Sequence, residues 1–170
     1  MSQDPAADPR SDPAARPQAD NSGAVIRPPI AWALAVLAGL ALQWVAPWRL
    51  APPSALAAGL GASVVILALA LFAWASVTMT RAGSNIPTNR PTTTIVDAGP
   101  YRFTRNPIYV GMFAALVGLA IAFDSVWLLA AFAGFALVIR YGVVAREEAY
   151  LEGKFGDAYR RYRARVRRWL

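Results

Sequence analysis

Nine residues in two short segments hold most of the chemistry this sequence offers. The first segment, Gly99 to Tyr109 (GPYRFTRNPIY), offers aromatic faces at Tyr101, Phe103 and Tyr109 and fixed positive charge at Arg102 and Arg105. Asn106 adds an amide that both donates and accepts. The second segment, residues 146–170, opens on Glu147-Glu148 and continues through Tyr159 to an arginine-rich end. Arginine grips a carboxylate in a fork. A glutamate accepts from an ammonium group or from hydroxyls. Aromatic rings cover a flat base and stabilise a nearby cation. Together these types suit a ligand that is zwitterionic, aromatic and partly cationic. A competing reading is structural: the two acids pair with Arg102, Arg105, Arg140 or Arg146 and hold nothing else.

Composition narrows the chemistry further. The 170 residues contain no cysteine, which removes disulfides, thiol nucleophiles and CxxC metal sites. They contain no histidine, which removes the usual general base and the commonest metal ligand. No metal is expected. Hydrophobic residues make up 56% of the chain and charged residues 16%, with a mean hydropathy of +0.37, placing it among membrane proteins.

The elements that position the two segments follow from the hydropathy pattern. Residues 1–24, rich in Pro, Ala, Asp and Ser, read as a disordered tail rather than a signal peptide. Residues 25–170 read as one integral-membrane domain. Its fold class is an all-α membrane protein: four transmembrane helices with a C-terminal amphipathic cytoplasmic helix. The spans fall at about 30–46, 55–80, 108–123 and 126–144, and the last helix at 146–170. Trp44 and Trp48 mark an interface. Gly59 and Gly61 are expected to pack the second span on the first, rather than form a cofactor glycine motif. Asp124-Ser125 is a tight turn with Ser125 as N-cap. Residues 81–106 form an irregular polar loop.

Charge sets the orientation. Every Lys and Arg except Arg49 falls on one side of this topology. The positive-inside rule puts both termini and the long loop in the cytoplasm, and the same split accounts for the net charge of +7 without nucleic acid. Arg140 is expected to snorkel to the interface. The arginine face from about Tyr162 onward is expected to lie on anionic headgroups. Spans three and four form a hairpin, so the Gly99–Tyr109 segment and the Glu147-Glu148 segment emerge side by side. That places Arg102 and Arg105 near the two glutamates, with Tyr101, Phe103, Tyr109, Phe155 and Tyr159 around them.

The paired motifs resemble a known family. Gly99-Pro100-Tyr101, Arg105-Asn106-Pro107-x-Tyr109, Glu147-Glu148-x-x-Leu151 and Phe155-Gly156-x-x-Tyr159-x-x-Tyr162 are similar to those of the isoprenylcysteine carboxyl methyltransferase and phospholipid methyltransferase superfamily. The resemblance covers roughly residues 60 to 170. It implies an integral-membrane, S-adenosylmethionine-dependent methyltransferase whose cofactor pocket lies at the cytosolic face and whose lipid-like acceptor enters from the bilayer. It implies cofactor contacts from Tyr101, Arg102, Arg105, Asn106, Tyr109, Glu147, Glu148 and Tyr159. Among these, Arg105, Asn106 and Glu148 are the candidates closest to the reaction. The arginines would hold the methionine carboxylate, and the glutamates its ammonium or the ribose. One position departs: the family pattern has histidine where this chain has Asn106, and asparagine cannot titrate.

A sulfonium donor needs mainly alignment and exclusion of water, which suits a chain without His or Cys. The acceptor atom, a carboxylate, thiol or amine, stays open. The source reads as bacterial, which would put the protein in an inner membrane. The alternative is a non-enzymatic membrane protein retaining the fold, as cofactor-binding sensor or partner subunit.

Overall fold

The computed structural model describes residues 22–52, 54–85 and 91–170. Four apolar helices carry the body of the protein. Helix α1 spans Pro28–Val45, with Pro28 and Pro29 in its first turn, where proline costs no hydrogen bond. Helix α2 spans Ala55–Arg81 and is capped by Ser54, whose hydroxyl accepts from the Ala57 N–H. Helix α3 spans Pro107–Ala122, and α4 starts at Val126 and runs to Leu137. Ser125 caps α4 as expected: its Oγ accepts from the Leu128 N–H at 3.2 Å and donates to Gln43 Oε1 at 2.9 Å. The first three helices begin and end within two residues of the spans read from hydropathy; the fourth begins where expected, at Val126, but its α-helical part ends at Leu137.

Three differences from the expected layout matter for the site. Three helical stretches are long and apolar enough to cross a membrane: Pro28–Val45, Ala55–Arg81 and Val126–Phe155. The fourth apolar helix, α3, has 16 residues. At 1.5 Å per residue it is about 24 Å long, short of a bilayer core of about 30 Å.

The second difference is at residue 145, where the hydropathy pattern suggested a break. The chain stays helical instead. A wide π-helical turn at Val138–Val144 leads directly into α5, Ala145–Phe155. Such turns shift the register of a helix and free backbone carbonyls. Here the Gly142 carbonyl accepts from the Val25 N–H at 3.2 Å, and the Gly23 carbonyl accepts from Arg146 Nη1 at 3.0 Å. The expected disordered tail falls mainly on residues outside those described, but its last residues are thus held against α4 and α5.

The third difference is the C-terminus. A single helix over 146–170 does not form. Gly156, at φ 51° and ψ −122°, breaks it in a conformation closed to residues with a Cβ. Helix α6 follows at Asp157–Arg165, and the chain turns extended at Val166. An isolated parallel bridge pairs Thr104 with Arg167, and no strand forms among the described residues. Tyr162 and Val166 are buried, and Trp169 packs on Phe113 with ring centroids 5.4 Å apart. The aromatic and aliphatic side chains of the last residues therefore cover a protein face, while Arg163, Arg165 and Arg167 stay exposed.

Packing runs in pairs, α2 on α3 and α1 on α4, with α3 also against α4. Leu116, Leu128, Ile139 and Val143 form the fully buried centre. Gly61 serves close packing, but against α3 and not α1. A Cβ there would lie 2.6 Å from the Gly118 carbonyl oxygen and overlap the Ala122 backbone nitrogen. Gly59 faces open space. Asp124, the turn residue, accepts from the Leu50 and Ala51 N–H groups with Oδ1 at 3.0 and 2.8 Å, tying the two short connections together.

Candidate functional site

A cavity of about 660 Å³ opens where the two segments meet. That is within the range of sites for drug-sized and cofactor-sized molecules. Its polar wall comes from Arg105, Asn106, Tyr109, Glu147 and Glu148, with Tyr101, Tyr159 and Tyr162 beside them. Its apolar wall comes from α1, α2, α3 and α5, through Ile30, Phe72, Met79, Met112 and Leu151.

The first segment is shaped by a 3-10 turn at Gly99–Arg102. Side chains in such a turn step by about 120°. Tyr101 turns inward and is buried, while Arg102 turns outward and is exposed. Arg102, expected at the ligand carboxylate, does not line the cavity. Phe103, 67% exposed, also points away. Phe155 packs beside Tyr159 and does not line the cavity either.

Arg105 is the buried cation of the site, with 8% of its side chain exposed. Its backbone N–H donates to the Arg167 carbonyl at 2.9 Å. Its Nη2 lies 3.1 Å from Glu148 Oε1. Among the described residues its Nε and Nη1 are buried without a hydrogen-bond partner. An unpaired guanidinium edge is costly in the interior, and an anion in the cavity that Arg105 lines would satisfy it. Asn106 precedes α3 but does not cap it. Its amide instead donates to the Arg168 carbonyl at 2.9 Å. The first-turn N–H groups of α3 are left without a side-chain cap beside Arg105, an arrangement that favours an anion.

The two glutamates have different surroundings. Glu148 is buried, its side chain 10% exposed, and both its oxygens are taken by arginine: Oε1 by Arg105 and Arg168, Oε2 by Arg168 at 2.5 Å. Glu147 has no ion pair among the described residues. Its Oε1 accepts from the Tyr109 hydroxyl at 2.8 Å, and it lines the cavity. The carboxylate able to meet a cation in the cavity is therefore Glu147, and Glu148 is committed to the protein. Arg140, one of the possible partners read from sequence, is exposed and lies over the Tyr141 ring at 5.4 Å.

Tyr159 and Tyr162 bring α6 against the first segment. The Tyr162 hydroxyl donates to the Tyr101 carbonyl at 2.9 Å. Burial, aided by the Glu148 charge and opposed by Arg105, pushes the Tyr159 phenol up to about 12, so it is a neutral hydroxyl at ordinary pH. Burial likewise raises Tyr101 and Tyr162.

Sequence reasoning missed three contributors. Arg168, one of nine basic residues at or after the end of α4, carries no local mark of a special role. Arg27 to Ile30 line the cavity from the start of α1, and Thr94 to Val96 line it from the loop. The β-prone run Thr92–Val96 is the sequence feature of that loop that marks an inner face. Among the described residues no cluster of His, Cys, Asp or Glu could hold a metal.

A family model described as phospholipid methyltransferase matches residues 56–158 of the chain. The matched stretch includes both segments of the cavity up to the start of α6 and excludes Arg168. Over 36 residues the chain is 67% identical to an uncharacterized protein of Haemophilus influenzae. That stretch is 21% of this chain and 57% of the relative, so the chain spans little more than half of that relative's length. No solved structure matches.

Proposed function

Because the chain belongs to the phospholipid methyltransferase family, we propose that it transfers a methyl group from S-adenosylmethionine to a lipid-like or small hydrophobic acceptor at the cytoplasmic face of a membrane, in bacteria the inner membrane. The observation that carries this reading is the pairing of opposite needs across one cavity. Among the described residues, Arg105 presents two buried, unpartnered nitrogens, and Glu147 presents a carboxylate with no cation. A ligand bearing both a carboxylate and an ammonium satisfies both.

The residues fit the cofactor. Arg105 and the uncapped start of α3 would hold the methionine carboxylate. Glu147 would hold the ammonium or the ribose hydroxyls. Tyr101, Tyr109 and Tyr159 would flank the base and the sulfonium. When bound, S-adenosylmethionine supplies a methyl group already activated for displacement. The protein's part is then alignment and dryness. The apolar wall from Ile30 to Met112 admits an acyl or isoprenoid chain and keeps water from the reacting centre. Asn106 takes no proton. Its amide fixes the backbone of the C-terminal segment.

That use of Asn106 favours a second reading, a cofactor-binding sensor or partner subunit that keeps the pocket and not the transfer. Isothermal titration of the detergent-purified chain with S-adenosylmethionine tests the pocket. Micromolar binding, lost in Arg105→Ala, is the expected result, and no binding by folded wild type sinks the reading. Incubation with methyl-labelled cofactor and a membrane lipid extract then separates the two: label in a lipid product supports the enzyme, and binding without transfer supports the sensor.

A further inference from the structure

Glu148 sits between two guanidinium groups, and they do not share it equally. Arg168 takes it in a fork, Nε to Oε1 at 3.0 Å and Nη2 to Oε2 at 2.5 Å. Arg105 touches it through Nη2 alone, at 3.1 Å. A carboxylate beside an arginine prefers the two-bond fork. Were Arg168 absent, Glu148 would close that fork on Arg105, through Nε or Nη1. Those are the two nitrogens now unpartnered. The net charge of the triad would also fall from +1 to zero, weakening its hold on any anion.

Arg168 does not line the cavity, whereas Arg105 and Glu148 do. It reaches Glu148 because the C-terminal segment is stitched to the first segment by its backbone. The Arg167 carbonyl accepts from Arg105 N–H, and the Arg168 carbonyl accepts from Thr104 Oγ1 at 3.1 Å and from Asn106 Nδ2 at 2.9 Å. Those bonds and the Trp169–Phe113 contact do not involve the Arg168 side chain. Truncating that side chain therefore leaves the segment docked.

We propose that Arg168 is a positioning residue: by occupying both oxygens of Glu148 it keeps Arg105 from being consumed by its own neighbour, and so holds two Arg105 nitrogens open for the carboxylate of the ligand. This rests on the cofactor reading above for the identity of that ligand. It makes the C-terminal segment, outside the family match, part of the binding apparatus.

The test is a rescue. Full-length wild type, Arg168→Ala, Glu148→Gln and the double variant are titrated with S-adenosylmethionine. Loss of one charge-assisted bond to the ligand corresponds to about tenfold weaker binding in Arg168→Ala. The double variant recovers most of that loss, because a neutral amide with one acceptor oxygen no longer forks onto Arg105. A double variant as weak as Arg168→Ala, or weaker, overturns the proposal and leaves the segment a simple brace. The second readout needs no ligand. In protein carrying isotope-labelled arginine, the Nε–H or the Nη1–H resonance of Arg105 moves in Arg168→Ala, according to which nitrogen closes the fork, and returns in the double variant. Both resonances staying unmoved overturns the proposal. If wild type binds no cofactor, the cofactor reading fails alone, and the resonances still decide the role of Arg168.

Discussion

Glu147 and Glu148 are neighbours in sequence with opposite fates. Consecutive residues on a helix point about 100° apart. One carboxylate meets Tyr109 and the cavity, the other two arginines. Removing the charge at each should therefore differ in kind. Glu147→Gln is expected to weaken cofactor binding about tenfold while leaving thermal stability close to wild type. Calorimetry and a melting curve on the same sample check both halves. Tyr109→Phe takes away the hydrogen bond that the Glu147 carboxylate accepts from the Tyr109 hydroxyl and should cost about 1–3 kcal/mol of stability, seen as a lower melting temperature. Tyr159 gives a pH signature. Its folded value of about 12 stands above the ordinary 10, so the stabilisation it brings is whole below pH 10. It is lost as pH rises towards 12, since the unfolded phenol ionises first. Alkaline unfolding followed by tyrosinate absorbance should be less steep in Tyr159→Phe.

At the scale of elements, two glycines in one turn of α2 make a controlled comparison. Gly61 lets the α2 and α3 backbones touch, and Gly59 touches nothing. Gly61→Ala drives a methyl group into the Gly118 carbonyl and the Ala122 nitrogen and is expected to destabilise by about 1–3 kcal/mol. Gly59→Ala should be neutral or stabilising by up to about 1 kcal/mol, from helix propensity alone. Melting temperatures in one detergent rank them. Gly61 was legible as a packing residue, but its partner was not, and Gly59, expected to pack as well, meets nothing. Periodicity gives the small face of a helix, not the helix that meets it. The break at Gly156 was hidden for a related reason. The steps Phe155, Tyr159, Tyr162, Val166 and Trp169 keep helical spacing through it. The same spacing is satisfied by a shorter helix followed by an extended segment whose apolar side chains are buried.

At the scale of the molecule, the chain has a charge map and a site at one end of the helices. The lack of cysteine makes the expected orientation easy to test. Single substitutions Asp157→Cys, in α6, and Pro52→Cys, in the α1–α2 connection, should label from opposite sides with an impermeant maleimide. Pro52→Cys should label in intact spheroplasts and Asp157→Cys in inverted vesicles. Labelling of both from one side contradicts the charge rule for this chain.

The sequence by itself determined the helix positions, the charge asymmetry and the two segments that build the cavity. Those depend on runs of apolar residues, on counts of Lys and Arg, and on turn residues such as Pro107 and Ser125. All of these act over a few neighbours along the chain. Tertiary structure alone decided that Arg102 leaves the site and Arg105 stays, that Glu148 is spent on the protein while Glu147 is not, and that Arg168 comes 20 residues back to hold it. Those outcomes turn on which identical groups come within about 3 Å of each other. A charge on a sequence has no direction until a backbone gives it one.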